Sequence, residues 1–276
     1  MKAIQKKQIV KQSPWQKLRS FTDARIALGR AGSSVPTAEL LKFQLAHAQA
    51  IDAVHSQLPI NQLAQSLPLP SLKLQSQAID RMQYLQRPDL GRRLSETSYQ
   101  QLVDYRMQAD CQYDLVIAIC DGLSAAAIEH HAAKFIRAFL TSQPPSSQLK
   151  FAPIAIVEQG RVAAGDDVCE ALKAKAVLLL VGERPGLSSP DSLGLYLTWQ
   201  AKRGCKDAFR NCISNVRPAG LSYQEAADKA WYLLAEAKKL GTSGVAVKDR
   251  TSVAQQDSLD GQKSQSFLSN NTERGS

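Results

Sequence analysis

Six consecutive apolar residues, Ala176–Val181 (AVLLLV), leave a soluble chain few options. A strand-length run with no polar alternation has no solvent face, so it belongs in a sheet covered on both sides, as parallel sheets are. Tyr113–Cys120 (YDLVIAIC) and Phe151–Val157 (FAPIAIV) are similar runs, and Leu195–Trp199 and Cys212–Ser214 are further strand candidates. Helical patterns lie between them. Ser124 can cap a helix reaching Leu140 on the stripe Ile128, Ala132, Phe135, Ile136, Phe139. A second helix falls near Asp166–Ala174, and Ser222-x-x-Glu225 is a capping box opening a third to about Leu240. This alternation predicts an α/β fold: a Rossmann-like open, mostly parallel sheet with helices on both faces.

Residues 1–95 read as an N-terminal helical region. Thr37 can cap a helix with Glu39 in its first turn that runs to about Leu58. On it, Leu41, Leu45, Ala48, Ile51, His55 and Leu58 step by three and four, which predicts a packed or rim histidine at 55. Leu67-Pro68-Leu69-Pro70 breaks regularity, and the cation-rich turn Arg87–Leu94 (RPDLGRRL) closes the region. Residues 96–249 form the α/β domain. Residues 250–276, rich in Gln, Ser, Asn and Asp, are expected to be a disordered polar tail.

Charge and composition exclude several classes. The net charge of +9 owes much to Lys2, Lys6, Lys7, Lys11, Lys17, Arg19, Arg25 and Arg30, set against Asp23 alone. A solvated or partner-facing end is favoured over a nucleic-acid arm, because no RNP-like motif, zinc finger or zipper accompanies it. No window holds the roughly 18 apolar residues of a membrane span. The basic start lacks an apolar signal core, so a cytoplasmic origin is expected. Five cysteines without a CxxC pair argue against a disulfide framework or a zinc site. Cys120 reads as a small buried hydrophobe. His130 and His131 are adjacent in a helical stretch, so they should point to different sides and make a poor metal pair. No metal site is expected, and no catalytic residue. G-x-G-x-x-G, Walker, G-x-S-x-G and HExxH signatures are all missing.

Ligands of open α/β sheets sit beyond the carboxyl ends of the strands. The informative loops are therefore Asp121–Ser124 (DGLS), Gln159–Val162 (QGRV), Gly182–Gly186 (GERPG) and Cys212–Asn215 (CISN). Glu183 and Arg184 follow a run of aliphatics and should emerge at the rim, since burying either unpaired is costly. The residues alone predict an α/β binding domain for an amide-rich or anionic ligand.

Those same loops resemble a known family. Ala24–Val54, RPDLGRRL, DGLS, GRV at Gly160–Val162, Ala176–Leu187 (AVLLLVGERPGL) and NCISN at Asn211–Asn215 resemble, in that order along the chain, motifs of the ethanolamine ammonia-lyase small subunit. The likeness spans about Trp15 to Gly244. It implies a carbon–nitrogen lyase in which adenosylcobalamin lies between a large TIM-barrel subunit and this one. Cobalt–carbon homolysis there starts a radical conversion of ethanolamine to acetaldehyde and ammonia. The substrate site is expected on the large subunit. The family's cobalamin contacts carry over to Val162, Glu183 and Cys212, with Arg161 and Asp121 as further candidates. D-x-H-x-x-G, which would give cobalt a histidine, is missing, so the cofactor should keep its dimethylbenzimidazole. The resemblance further implies a dodecamer of six large and six small subunits. It also implies residence in a bacterial microcompartment, or otherwise the cytoplasm, although the start here is shorter than the extension linked to encapsulation. The alternative is a stand-alone α/β binding protein for a nucleotide or other anion. The absence of a phosphate-cradling glycine loop weighs against it.

Overall fold

The apolar runs align into one six-stranded sheet in the computed structural model of the chain, which describes residues 9–109, 111–145 and 147–248. Ahead of it, β1 (Val10–Lys11) and β2 (Arg30–Ala31) form a small antiparallel ribbon, followed by α1 (Thr37–His55) and α2 (Ile60–Ser66). The chain then runs β3 (Ser71–Gln75), α3 (Arg81–Gln86), α4 (Glu96–Ala109), β4 (Leu115–Cys120), α5 (Ala125–Ala127), a π-helical turn (Ile128–Ala132), α6 (Ala133–Thr141) and β5 (Ile154–Glu158). It finishes with α7 (Ala164–Leu172), β6 (Ala176–Gly182), β7 (Leu193–Trp199), β8 (Arg210–Val216) and α8 (Tyr223–Leu240).

The strand order is β3-β5-β4-β6-β7-β8. The first four strands are mutually parallel, and β7 is antiparallel to both neighbours. The open, mostly parallel α/β sheet is therefore as the sequence predicts. Every residue of β4 and β6 is buried. Alternation sorts their side chains onto two cores. Leu115, Ile117, Ile119, Leu178 and Leu180 meet Phe135, Phe139 and Trp231 of α6 and α8. Val116, Ala118, Cys120, Val177 and Leu179 meet Val168 and Leu172 of α7 and Leu102 of α4.

The local signals at helix starts mostly hold. The Ser124 hydroxyl accepts from the Ala127 amide. Both halves of the Ser222–Glu225 capping box form, and Gly241 ends α8 in the left-handed conformation. Thr37 is the exception. Pro36 occupies the cap position of α1 with no side-chain cap bond.

The N-terminal region differs from its helical prediction. Residues 71–75 are a strand paired in parallel with β5, so this part of the region joins the main sheet. Only a long-range partner could make SLKLQ extended. The stripe on α1 also differs: Leu41, Leu45, Ala48, Ile51 and His55 are exposed, and only Leu58 is buried. His55 is thus not packed. The polar tail lies outside the described residues, among which no helix is long and apolar enough to cross a membrane.

Candidate functional site

α4 and α7 cover one face of β4, β5 and β6; on the same face of β7 and β8, Thr198 is buried under Arg210, Tyr196 is half-buried and Cys212 is exposed. Leu193, Leu195 and Leu197 enter the opposite core, so Gly194, Tyr196 and Thr198 turn to the α7 side. Cys212 pairs directly with Tyr196 in the ladder and is exposed, and its Sγ lies 3.2 Å from Ser214 Oγ. A groove of about 390 Å³ runs along this face, lined by Arg92, Arg161, Val162, Ala163, Tyr196, Asp207, Arg210 and Cys212. Val162 is half-buried in the loop between β5 and α7.

Glu183 follows β6 directly and is half-buried. Its carboxylate accepts from the Ser192 hydroxyl and, at 3.3 Å, from the Asn215 amide. The second contact depends on a bulge. Leu193 pairs with Val216 while Leu195 pairs with Ile213, so β8 carries one extra residue there, with Asn215 at φ +59°. Gly194 makes room as well: a Cβ on it would lie 3.0 Å from Glu183 Oε1. Burial, the hydrogen bond to Cys212 and the nearby Glu183 carboxylate push the Tyr196 phenol up to about 12. Tyr196 is therefore a neutral hydroxyl at physiological pH.

Of the residues singled out from sequence, Val162 and Cys212 share the groove, and Glu183 adjoins it, bonded to the strand that bears Cys212. The CISN segment is not a strand-end loop; the other reading of it, Cys212–Ser214 as a strand, is the one that holds. It lies within β8, and Cys212 is reached across the sheet face. Arg161 lines the groove with its guanidinium 4.4 Å from the Tyr84 ring centre, and its buried Nε has no hydrogen-bond partner. Asp121 does not reach the groove. It is buried at the end of β4, where it accepts from the Gly160 amide at 3.0 Å and lies 3.6 Å from Arg81 Nη1. Burial raises its carboxyl to about 6 against the opposing pull of Arg81. The gap between the ends of β4 and β5, where an open sheet would hold a ligand, is thus filled by Arg81, Asp121 and Tyr84.

Buried ion pairs at the start of α7 fix the groove wall. Arg210 gives Asp166 two hydrogen bonds of 2.6 and 2.7 Å. Arg93 and Arg203 reach Asp167 at 3.1 and 3.2 Å, and the Leu94 amide donates to it at 3.0 Å. The Arg161 amide donates to the Gly91 carbonyl at 2.7 Å, so the RPDLGRRL turn braces the GRV loop. The family described as ethanolamine ammonia-lyase light chain (EutC) matches residues 12–248.

The chain belongs to the ethanolamine ammonia-lyase light-chain family.

Its relatives agree over nearly full length. The ethanolamine ammonia-lyase small subunit of Pseudomonas fluorescens is 51% identical over 255 residues, covering 91% of this chain and 92% of that one. The small subunits of Azotobacter vinelandii and Ralstonia nicotianae are 51% and 52% identical over 249 residues, covering 89% and 88% of this chain and 92% and 91% of theirs. Membership makes this light chain part of a lyase holoenzyme with a large subunit, rather than a stand-alone binding protein.

Sequence reasoning missed three members of the site. Tyr196 was legible in LGLYLTW, where Leu alternates with Gly-Tyr-Thr. Arg210 and Ser192 carried no local signal, because their partners lie 44 and 9 residues away. The histidine pair also departs from its prediction. The π-helical turn brings His130 and His131 together at Asp191 rather than sending them to different sides.

Proposed function

We propose that this chain supplies one wall of the adenosylcobalamin site of ethanolamine ammonia-lyase, the large subunit supplying the other wall and the ethanolamine site. Val162, Glu183 and Cys212 are its contacts, with Arg161 beside them. The observation that carries the reading is the groove between the start of α7 and β7–β8, which Val162 and Cys212 line together and at whose edge Glu183 is held.

The donor set fits a corrin rim. The ring carries peripheral amide arms, whose N–H groups suit the Glu183 carboxylate and whose carbonyls suit a guanidinium. The buried, partnerless Nε of Arg161 is a donor that lacks its acceptor. Cys212 and Val162 offer soft apolar surface to the flat ring, and Tyr196 a neutral hydroxyl. When bound, adenosylcobalamin supplies one-electron chemistry, and protein groups place and orient it. This chain's own work is then to hold the ring edge, exclude water from that edge and keep the Glu183 side chain aimed. Ser192 and Asn215 do the aiming.

The same reading extends to assembly as six large and six small subunits, in a bacterial microcompartment. Leu40, Leu41, Phe43, Leu45 and Ile51 expose an apolar face on α1. Patches of this kind mark protein contacts, and the large subunit is the occupant proposed here.

The test uses the chain reconstituted with its large subunit. Glu183→Ala should raise the apparent constant for adenosylcobalamin by about tenfold or more, the value of a hydrogen bond to a charged group. The constant for ethanolamine should change less. A larger effect on ethanolamine, or turnover indifferent to adenosylcobalamin, would overturn the proposal.

A further inference from the structure

The π-helical turn Ile128–Ala132 (IEHHA) interrupts an otherwise continuous helix between α5 and α6. Such single turns are rare and collect at functional sites, because the widened turn re-aims side chains that an α-helix would splay apart. Here it presents both imidazoles to one carboxylate. His131 Nε2 lies 3.2 Å from Asp191 Oδ2, and His130 Nδ1 lies 3.7 Å from the same oxygen. The ligand atoms of His130, His131 and Asp191 all fall within 4.8 Å of one another.

Those spacings match a coordination polyhedron. Bonds of 2.0–2.1 Å in tetrahedral geometry set ligand atoms about 3.3 Å apart. Two edges of the triangle are already near that length. The third closes by rotating His130, whose side chain is 55% exposed and free to turn. A supporting shell is present too. The Tyr223 hydroxyl lies 2.8 Å from Nδ1 of His131, whose side chain is 5% exposed. A second hydrogen bond on the far nitrogen is what fixes a ligating imidazole in place. A hydroxyl can donate or accept, so Tyr223 suits either imidazole tautomer. Proton balance is then simple: as Nε2 gives its lone pair to a metal, the ring proton resides on Nδ1 and is donated to Tyr223. The side chain of Asp191 is 32% exposed, which leaves a fourth position open to water.

We propose that His130, His131 and Asp191 bind a zinc-class divalent transition-metal ion. Two imidazoles and one carboxylate select zinc, cobalt or nickel over magnesium and calcium, which favour all-oxygen sites. The ion staples the connection between β6 and β7. Asp191 lies between Pro190, whose carbonyl accepts from Ser124 at 2.9 Å, and Ser192, whose hydroxyl holds Glu183. A metal at this point fixes the far end of the loop that carries GERPG. It does not depend on what Glu183 binds.

The test is zinc binding by the chelator-stripped complex of this chain with its large subunit, read by isothermal titration, with cobalt(II) absorption as a spectroscopic probe. The wild type should take up one more zinc ion per small subunit than His130→Ala or Asp191→Ala, or bind it at least about tenfold more tightly. Tetrahedral cobalt bands should weaken in both variants, and magnesium should not compete. His130 is exposed, so His130→Ala should melt with the metal-free wild type and carry the test if Asp191→Ala misfolds. Zinc uptake and cobalt spectra unchanged by His130→Ala, or no uptake attributable to this chain, would overturn the site while leaving the cofactor proposal untouched.

Discussion

Replacing Arg210 by methionine tests how β8 is held beside the groove. The Arg210 side chain is 3% exposed and that of Asp166 is 2% exposed, and two hydrogen bonds of 2.6 and 2.7 Å join them. Methionine refills much of the aliphatic stem but leaves the carboxylate buried without its cation. Removing one partner of a buried pair costs about 3–5 kcal/mol, because the remaining charge stays desolvated. Asp166 lies in the first turn of α7, where the helix dipole offsets up to about 1 kcal/mol. A loss of about 3 kcal/mol at pH 7 is therefore expected for Arg210→Met. Burial already holds the Asp166 carboxyl above its ordinary value, against the hydrogen bond and charge of Arg210. Without Arg210 that opposition vanishes and the carboxyl rises further. A carboxyl raised on folding favours the folded state at low pH and loses that contribution as pH rises. The deficit of the variant is thus full at pH 7 and shrinks as pH falls toward the ordinary 3.8. Urea unfolding of the full chain, followed by circular dichroism at pH 7 and pH 5, measures it. Adding Asp166→Leu should restore most of the loss, since an apolar pair of similar volume replaces the ionic one. A single variant within about 0.5 kcal/mol of wild type at pH 7 would refute the reasoning. So would a double variant no better than the single.

Three further outcomes are expected. The rise of the Asp121 carboxyl from 3.8 to about 6 corresponds to about 3 kcal/mol of penalty on its ionised form. Stability should fall as pH rises from about 4 through 6, and Asp121→Asn, which keeps an acceptor for the Gly160 amide, should flatten that slope in pH-dependent melts. Ser222→Ala removes the side-chain half of the capping box on α8 and should cost about 1 kcal/mol in thermal unfolding, with Ser222→Asp largely neutral. A Cβ on Gly182 would collide with the carbonyls of Ser124 and Asp121, so Gly182→Ala should not accumulate as folded protein, and a normal melting curve would contradict the close approach of the Asp121–Ser124 loop to the end of β6.

Short-range chemistry was legible in the sequence wherever a residue's partner lies within a few positions. The capping box of Ser222 and Glu225, the Ser124 cap and the unbroken apolar runs of β4 and β6 needed only neighbours and a hydrophobic interior. They determined the α/β class and the strands at the centre of the sheet. The resemblance then placed Val162, Glu183 and Cys212 among the residues to watch.

Tertiary structure decided everything that depends on distant partners. SLKLQ became a strand because β5 offered it an edge, and the apolar stripe of α1 stayed exposed because nothing among the described residues covers it. Cys212 came to share a groove with Val162 through the antiparallel pairing of β8 with β7 beside the start of α7, which has no local signature. A single extra residue in β8 turned the Asn215 amide to Glu183, and a single widened turn swung His130 and His131 onto Asp191. Both are one-residue departures from regular geometry. Side-chain period reveals regular elements, but the free energy that holds such an irregularity is supplied by contacts made only once the chain has folded.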